Sequence, residues 1–167
     1  QLLQHPIRME SKIAAGSMFA VAVPLTSARP NATALPAQAI IPEPKATVLL
    51  VDNDPEVLKA MLELLEQWGC AVLPARTIAQ ALRLGRTQKP DILLLDYHLD
   101  RHDTGLMVRA QLAPLLGDLP CIILTADRSE EVRNEILNSG CQVLHKPIRP
   151  LALKSAMASM LPKRHAV

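Results

Sequence analysis

Aromatic residues are almost missing from this chain: it has one Trp, one Tyr and one Phe among 167 residues. Any core must therefore be packed from Leu, Ile, Val, Ala and Met, which an apolar share of 49% readily allows. Glycine is scarce too, at six residues. Neither of the common glycine-rich phosphate loops occurs, which excludes those two ways of holding a nucleotide. No apolar run approaches the length needed to span a bilayer. Charge of one sign is not in excess either. A formal net charge of +2 offers no field for nucleic acid or an anionic membrane surface. Cysteine is limited to Cys70, Cys121 and Cys141, odd in number, far apart, and each beside an apolar segment. They read as buried reduced thiols rather than disulfides or metal ligands, which suits a reducing cytoplasm.

The length allows one ordinary domain with something to spare, but not two. Between Ser27 and Ala46 the chain reads "SARPNATALPAQAIIPEPKA". Four prolines, many alanines and no apolar period mark residues 27–46 as an extended linker. It separates a short N-terminal piece from a long C-terminal domain. The N-terminal stretch Met9 to Ala28 has a lysine, an apolar middle and small residues, as a secretory signal would. The chain begins at Gln1, however, and the remainder looks intracellular, so a fragment is the preferred reading.

The long part alternates. "TVLLVD" (Thr47 to Asp52) is a greasy run ending in an acid. After it, Val57, Leu58, Met61, Leu62, Leu65 and Trp68 recur at helical spacing. Asp54 and Pro55 give the start signal and Gly69 the stop. "CAVLPA" (Cys70 to Ala75) is a second strand, and Thr77 caps a helix through about Arg86. "DILLLD" (Asp91 to Asp96) is a third strand. The next helix runs from about Thr104 to Leu112, where Pro114 ends or bends it. "PCIILTA" (Pro120 to Ala126) is followed by a helix from Ser129 to Ser139, stopped by Gly140. "QVLHK" (Gln142 to Lys146) is the fifth strand, and Pro150 opens a last helix to about Leu161.

Strands that are aliphatic throughout belong to a parallel sheet covered on both faces. Five alternating strands and helices thus predict an α/β fold: a doubly wound, five-stranded, flavodoxin-like sheet of order 2-1-3-4-5. In such a sheet, function sits at the carboxyl ends of the strands. The polar residues there are Asp52, Asn53 and Asp54 on the first strand and Asp96 on the third. Thr125 ends the fourth strand and Lys146 the fifth. The first, third and fourth strands are near neighbours, so these groups should converge. Acids held together repel, and a hard cation such as Mg²⁺ relieves that repulsion through oxygen ligands. A carboxylate there can attack phosphorus and become an acyl phosphate, with lysine and threonine holding the phosphoryl oxygens. Asp96, alone on the middle strand, is the natural nucleophile.

The stretches "VLLVDNDP", "ILLLDYHL", "IILTAD" and "LHKP" resemble, in order and spacing, the response-regulator receiver domain of two-component signalling. The likeness covers about residues 47–162, with 163–167 a tail. It implies that Asp96 is the phosphoacceptor, that Asp52 and Asn53 organise Mg²⁺ with the backbone carbonyl of His98, and that Thr125 and Lys146 meet the phosphoryl group. It also implies a cis bond between Lys146 and Pro147. Its phosphodonor would be the phosphohistidine of a kinase dimerisation domain or of a phosphotransfer protein. The N-terminal "QLLQHPIRMESKIAAGSMFAVAVPLT" resembles the closing end of a histidine-kinase ATP-binding domain, so residues 1–26 read as its remnant, without the parts that hold ATP. The whole then reads as the C-terminal part of a hybrid sensor kinase, its receiver not embedded in the membrane.

Three departures from the family bear on activity. Asn53 brings no negative charge where members carry an acid, so weaker Mg²⁺ binding or recruitment of Asp54 is expected. Val143 stands where many members have an aromatic ring, which puts aromatic switching in doubt. Only "PKRHAV" follows the last helix, which implies no DNA-binding effector. Other readings stay open. A degenerate receiver would serve only for docking. A phosphatase of the haloacid-dehalogenase type would want an acid where His98 stands. Zinc bound by His98, His102, His145, Asp100 and Asp103 lacks ligand spacing. Taken alone, Asp54 is a helix cap, Tyr97 packs near the site or is exposed, and Arg83, Arg86 and Arg101 are solvated charges.

Overall fold

The computed structural model describes residues 7–12, 16–22, 44–100 and 103–162. The chain divides into two compact units, Gln1–Ile40 and Ile41–Val167. In the first, strands β1 (Ile7–Lys12) and β2 (Gly16–Val21) pair antiparallel, from Ile7 opposite Val21 to Lys12 opposite Gly16. Met9, Met18, Phe19 and Val21 are all exposed. A two-stranded sheet with uncovered apolar side chains is at best marginal by itself. Most of the linker, the tail, Arg101 and His102 lie outside the described residues.

The second unit contains β3 (Thr47–Val51), α1 (Pro55–Gln67), β4 (Ala71–Ala75), α2 (Ile78–Thr87) and β5 (Ile92–Asp96). It continues with α3 (Gly105–Leu116), β6 (Cys121–Thr125), α4 (Glu130–Asn138), β7 (Gln142–His145) and α5 (Pro150–Met160). The sheet order is β4-β3-β5-β6-β7, and every pairing is parallel. Counted within this unit, that is the flavodoxin-like order 2-1-3-4-5.

Side chains alternate across the sheet, so each central strand feeds two cores. Leu49, Val51, Leu93, Leu95, Cys121 and Ile123 pack with Ala81, Val108, Leu112 and Ile136 from α2, α3 and α4. Val48, Leu50, Ile92, Leu94, Ile122 and Leu124 pack on the other side with Leu58, Met61, Leu65, Leu153 and Met157 from α1 and α5. β5 and β6 are buried along their whole length. The edge strand β7 is only half-buried. All three cysteines are buried and free.

The helix starts follow the sequence. Asp54 accepts from the main-chain N–H groups of Glu56 and Val57, and Thr77, Thr104 and Ser129 cap α2, α3 and α4 in the same way. Each such bond contributes about 1 kcal/mol. One boundary differs: α3 does not stop near Leu112 but runs through Pro114 to Leu116. Proline removes one hydrogen bond, but Leu112 is fully buried and Leu116 packs on the same core, which holds the last turn in place.

Candidate functional site

Aliphatic strands leave their polar residues only at the tips, and here the tips of β3, β5, β6 and β7 meet. Asp52, Asp96 and Thr125 are the buried polar residues among those described, at 1%, 7% and 1% exposure. Lys146, one residue beyond β7, is anchored by its N–H, which donates to the Thr125 carbonyl at 2.7 Å. Its Nζ lies 3.0 Å from Asp52 Oδ2 and 2.8 Å from Asp96 Oδ1. The Lys146–Pro147 bond is cis.

The other Asp52 oxygen, Oδ1, accepts from the Asp54 N–H at 2.9 Å. Lys146 holds Asp96 through Oδ1, and Asp96 Oδ2 has no hydrogen-bond partner among the described residues. Burial pushes the Asp96 pKa up, Lys146 opposes the rise, and Asp52 adds to it. Burial works against the charged form of Lys146, but the carboxylates of Asp96 and Asp52 reverse that and hold its pKa above the ordinary lysine value. The Thr125 hydroxyl accepts from the Asp127 N–H at 3.0 Å and keeps its own proton to donate.

Asn53 is half-buried beside this group. Its Nδ2 donates to Asp100 Oδ1 at 2.8 Å, and its main-chain carbonyl accepts from Arg76 Nε and Nη2 at 3.3 and 3.2 Å. Asp54 meets Asp52 through its main-chain N–H, and its side chain caps α1. Its Oδ1 accepts from the Glu56 and Val57 N–H groups at the start of α1. His98 follows Asp96 by two residues, with an exposed side chain and a bridge to Thr104.

The acidic groups gathered at the strand tips, the carboxylates of Asp52 and Asp96, are oxygen donors. Such a set suits a hard divalent cation such as Mg²⁺ rather than zinc. Among the described residues no three His, Cys, Asp or Glu side chains gather as a metal cluster. His145 Nδ1 is buried without a hydrogen-bond partner among them. Val143 is half-buried against the core beneath α4.

The site's aromatic neighbour is Tyr97 instead. Its ring is buried and its hydroxyl donates to Glu135 Oε2 on α4 at 2.5 Å. That bond, then burial, pushes the tyrosine pKa up to about 12. The proton is thus held more tightly in the folded chain. The added stability is complete below the unfolded value near 10 and disappears as pH rises through about 12. Tyr97→Phe should therefore lower stability by about 1 kcal/mol at pH 8. In urea unfolding, the difference between parent and variant should shrink at strongly alkaline pH. A difference that stays constant would mean the hydroxyl contributes nothing specific.

Sequence reasoning did not single out Arg76, Asp127, Glu135 or Gly105. A Cβ on Gly105 would stand 2.5 Å from the Asp96 carbonyl oxygen. The signal for it was available, since a glycine directly after a capping Thr permits close helix–strand approach.

Comparison with known proteins matches residues 48–158 to the model of the response regulator receiver domain. An uncharacterized 14.6 kDa protein of Leptolyngbya boryana is 35% identical over 108 residues, covering 64% of this chain and 82% of that protein. The transcriptional regulatory protein GlrR of Escherichia coli is 36% identical over 117 residues, 70% of this chain but 26% of that protein. Response regulator MprA of Mycobacterium ulcerans is 34% identical over 113 residues, 68% of this chain and 47% of its own length. The chain thus spans less than half of these two longer relatives. Among solved structures, a Burkholderia pseudomallei response regulator with a phosphorylated aspartic acid and a calcium ion superposes with a TM-score of 0.61. It is 27% identical, with 68% of each chain covered. The chemotaxis protein CheY4 of Vibrio cholerae shares the fold, with a TM-score of 0.64 at 24% identity, covering 70% of this chain and 98% of that one.

Proposed function

This chain belongs to the response regulator receiver family, a module of two-component signalling, and from that premise we propose that Asp96 accepts a phosphoryl group from a phosphohistidine. The observation that carries the proposal is the Lys146 ammonium bridging two buried strand-tip carboxylates, and it holds Asp96 through Oδ1 only. The other oxygen of Asp96, Oδ2, attacks phosphorus. The P–N bond to the donor imidazole breaks, its electron pair returns to nitrogen, and an acyl phosphate forms. Lys146 then exchanges its bond to Asp96 for one to a phosphoryl oxygen, and Thr125 donates its hydroxyl proton to another. Mg²⁺ would be held by Asp52, Asp96, the Asn53 amide oxygen and the His98 carbonyl, and when bound it neutralises charge on the phosphoryl oxygens.

The wider context belongs to the same proposal. Residues 1–26 are the remnant of a kinase ATP-binding domain, 27–46 the linker, 47–162 the receiver and 163–167 the tail, all within a cytoplasmic hybrid histidine-kinase phosphorelay. The antiparallel pair β1–β2, with Met9, Met18 and Phe19 exposed on it, supports this reading. The partner is a histidine-bearing dimerisation domain or phosphotransfer protein. In this reading the receiver takes no nucleic acid and is not embedded in a membrane; no helix among the described residues is long and apolar enough to cross one.

Incubation of the chain with Mg²⁺ and a small phosphodonor such as acetyl phosphate should add one phosphoryl group by intact mass. Phosphomonoesters under the same conditions should not turn over. Steady release of phosphate from them would instead favour the aspartate-nucleophile phosphatase. Asn53, with no charge of its own, favours one second reading, a docking module without phosphorylation. A chain that never acquires the phosphoryl group would leave that reading standing.

A further inference from the structure

The second acidic position of the cation cluster is an amide here, and the loop beyond β5 brings a carboxylate to it. Asp52 and Asp96 against Lys146 leave the site one net negative charge. Asn53 adds none. Arg76, on the outer side of Asn53, donates two bonds to its main-chain carbonyl at 3.3 and 3.2 Å, so the nearest exposed charge on that side is positive. Asp100 Oδ1 then meets Asn53 Nδ2 at 2.8 Å.

We propose that Asp100 is a positioning residue for the divalent cation, one that replaces the charge missing at Asn53 and fixes the orientation of the Asn53 amide. The proposal rests on the cation site of the preceding subsection.

The orientation follows from donor chemistry. A carboxylate only accepts hydrogen bonds, so the amide face turned to Asp100 must be the NH₂ group. The amide oxygen is thereby turned away from Asp100 and left available as a cation ligand. Without Asp100, the amide is free to flip and present N–H groups, which repel a cation. The charge follows from the same contact: with Asp100 ionised, a negative charge stands 2.8 Å from the Asn53 amide, on the side opposite the amide oxygen.

Asp100 is exposed, but its place is held from both sides. The Asp103 N–H donates to the Asp100 carbonyl at 3.1 Å, and the Leu99 N–H to the Asp103 carbonyl at 3.0 Å. His98 bridges to Thr104, and the Gly105 N–H donates to the Tyr97 carbonyl at 3.1 Å. The turn carrying Asp100 is therefore tied at its base to the residues adjoining Asp96. A carboxylate so placed acts as an outer-shell partner, a class whose loss weakens metal affinity by roughly tenfold to a hundredfold.

The test is Mg²⁺ titration of the full 167-residue chain by calorimetry, without any phosphodonor. Asp100→Asn keeps a group able to accept from Asn53 but removes the charge, and should weaken Mg²⁺ binding about tenfold. Asp100→Ala removes charge and orientation together and should weaken it further. Adding Asn53→Asp to Asp100→Asn moves the charge back to the cluster and should restore the affinity. An Asp100→Asn chain that binds within about twofold of the parent overturns the proposal, and so does a loss that Asn53→Asp fails to restore. Asp52→Asn separates the two levels of inference. If that variant binds Mg²⁺ as the parent does, the cation site itself is misplaced and the proposed function falls with it. If it abolishes binding while Asp100→Asn changes nothing, only the role of Asp100 falls. Absence of Mg²⁺ binding by the parent chain overturns both.

Discussion

Asp96→Asn should abolish the phosphoryl adduct while leaving the chain folded and no less stable at neutral pH. The loss is chemical. An amide oxygen is a poor nucleophile toward phosphorus, and no other described carboxylate stands at the tip of the middle strand. Asp52 is no substitute, because both its oxygens are already engaged, one by the Asp54 N–H and one by Lys146. The stability argument runs through the pKa. Burial, the largest influence on Asp96, raises its pKa in the folded state despite Lys146. A carboxyl raised in this way stabilises the fold when protonated. That contribution is complete below the unfolded value near 3.9 and is lost as pH climbs through the higher folded value. At pH 7 the parent therefore holds a carboxylate that burial disfavours, and asparagine removes that burden. Thermal unfolding in chelator should show the variant equal to or above the parent at pH 7, with the gap closing on acidification. Intact mass after exposure to Mg²⁺ and acetyl phosphate reads the other half. A variant that still gains a phosphoryl group would move the nucleophile elsewhere and end the present assignment. A variant that unfolds would mean the ion pairs with Lys146 outweigh burial.

That site was legible in the sequence for one physical reason. A parallel sheet covered on both faces leaves its strands no room for polar residues except at their ends. Asp52, Asp96, Thr125 and Lys146 therefore announced themselves as the polar caps of aliphatic runs, and the strand order placed them together. The caps of α1 to α4 were legible for a similar reason, since Asp54, Thr77, Thr104 and Ser129 satisfy main-chain donors a few residues away. What escaped were pairings made across space by side chains of loops. Asp100 lies 47 residues from Asn53, and nothing in their spacing connects them. Tyr97 could not be called buried or exposed beforehand, because it is the first residue past β5. Its burial depends on α4 delivering Glu135 opposite its hydroxyl. Pro114 ends or bends a helix by local rules because proline removes a donor. The tertiary packing of Leu112 and Leu116, invisible to local propensity, carries the helix past it.

Gly105→Ala should be far more damaging than Gly85→Ala, although both add one methyl group to a helix. Both glycines lie in helices, and in an exposed helix interior alanine would gain about 0.5–1 kcal/mol over glycine. At Gly85 the new Cβ meets Leu112 Cδ2 at 2.9 Å and Leu116 Cδ1 at 3.3 Å. Those are methyl ends of flexible side chains rather than backbone, so a small rotation relieves the contact. Gain and strain nearly cancel there. At Gly105 the new Cβ meets the Asp96 carbonyl oxygen at 2.5 Å and Leu95 Cβ at 3.0 Å. Neither can rotate away, because Asp96 and Leu95 are backbone-anchored in the central strand, paired on both its edges. Overpacking of this kind costs about 1–3 kcal/mol, and a rigid obstacle places it toward the upper end. The strain also has a direction: relief requires the first turn of α3 to move away from the tip of β5, or that tip to move with Asp96. A shift of about 1 Å at a reacting group is enough to slow a reaction on the order of a hundredfold. Gly105→Ala should thus lower the urea midpoint clearly and slow phosphorylation by acetyl phosphate, even where the variant remains folded. Gly85→Ala should leave the rate unchanged and the midpoint close to the parent's. Equal behaviour of the two variants would mean that α3 is not seated against the phosphoacceptor strand, and the placement of Asp96, Asp100 and the loop between them would have to be redrawn.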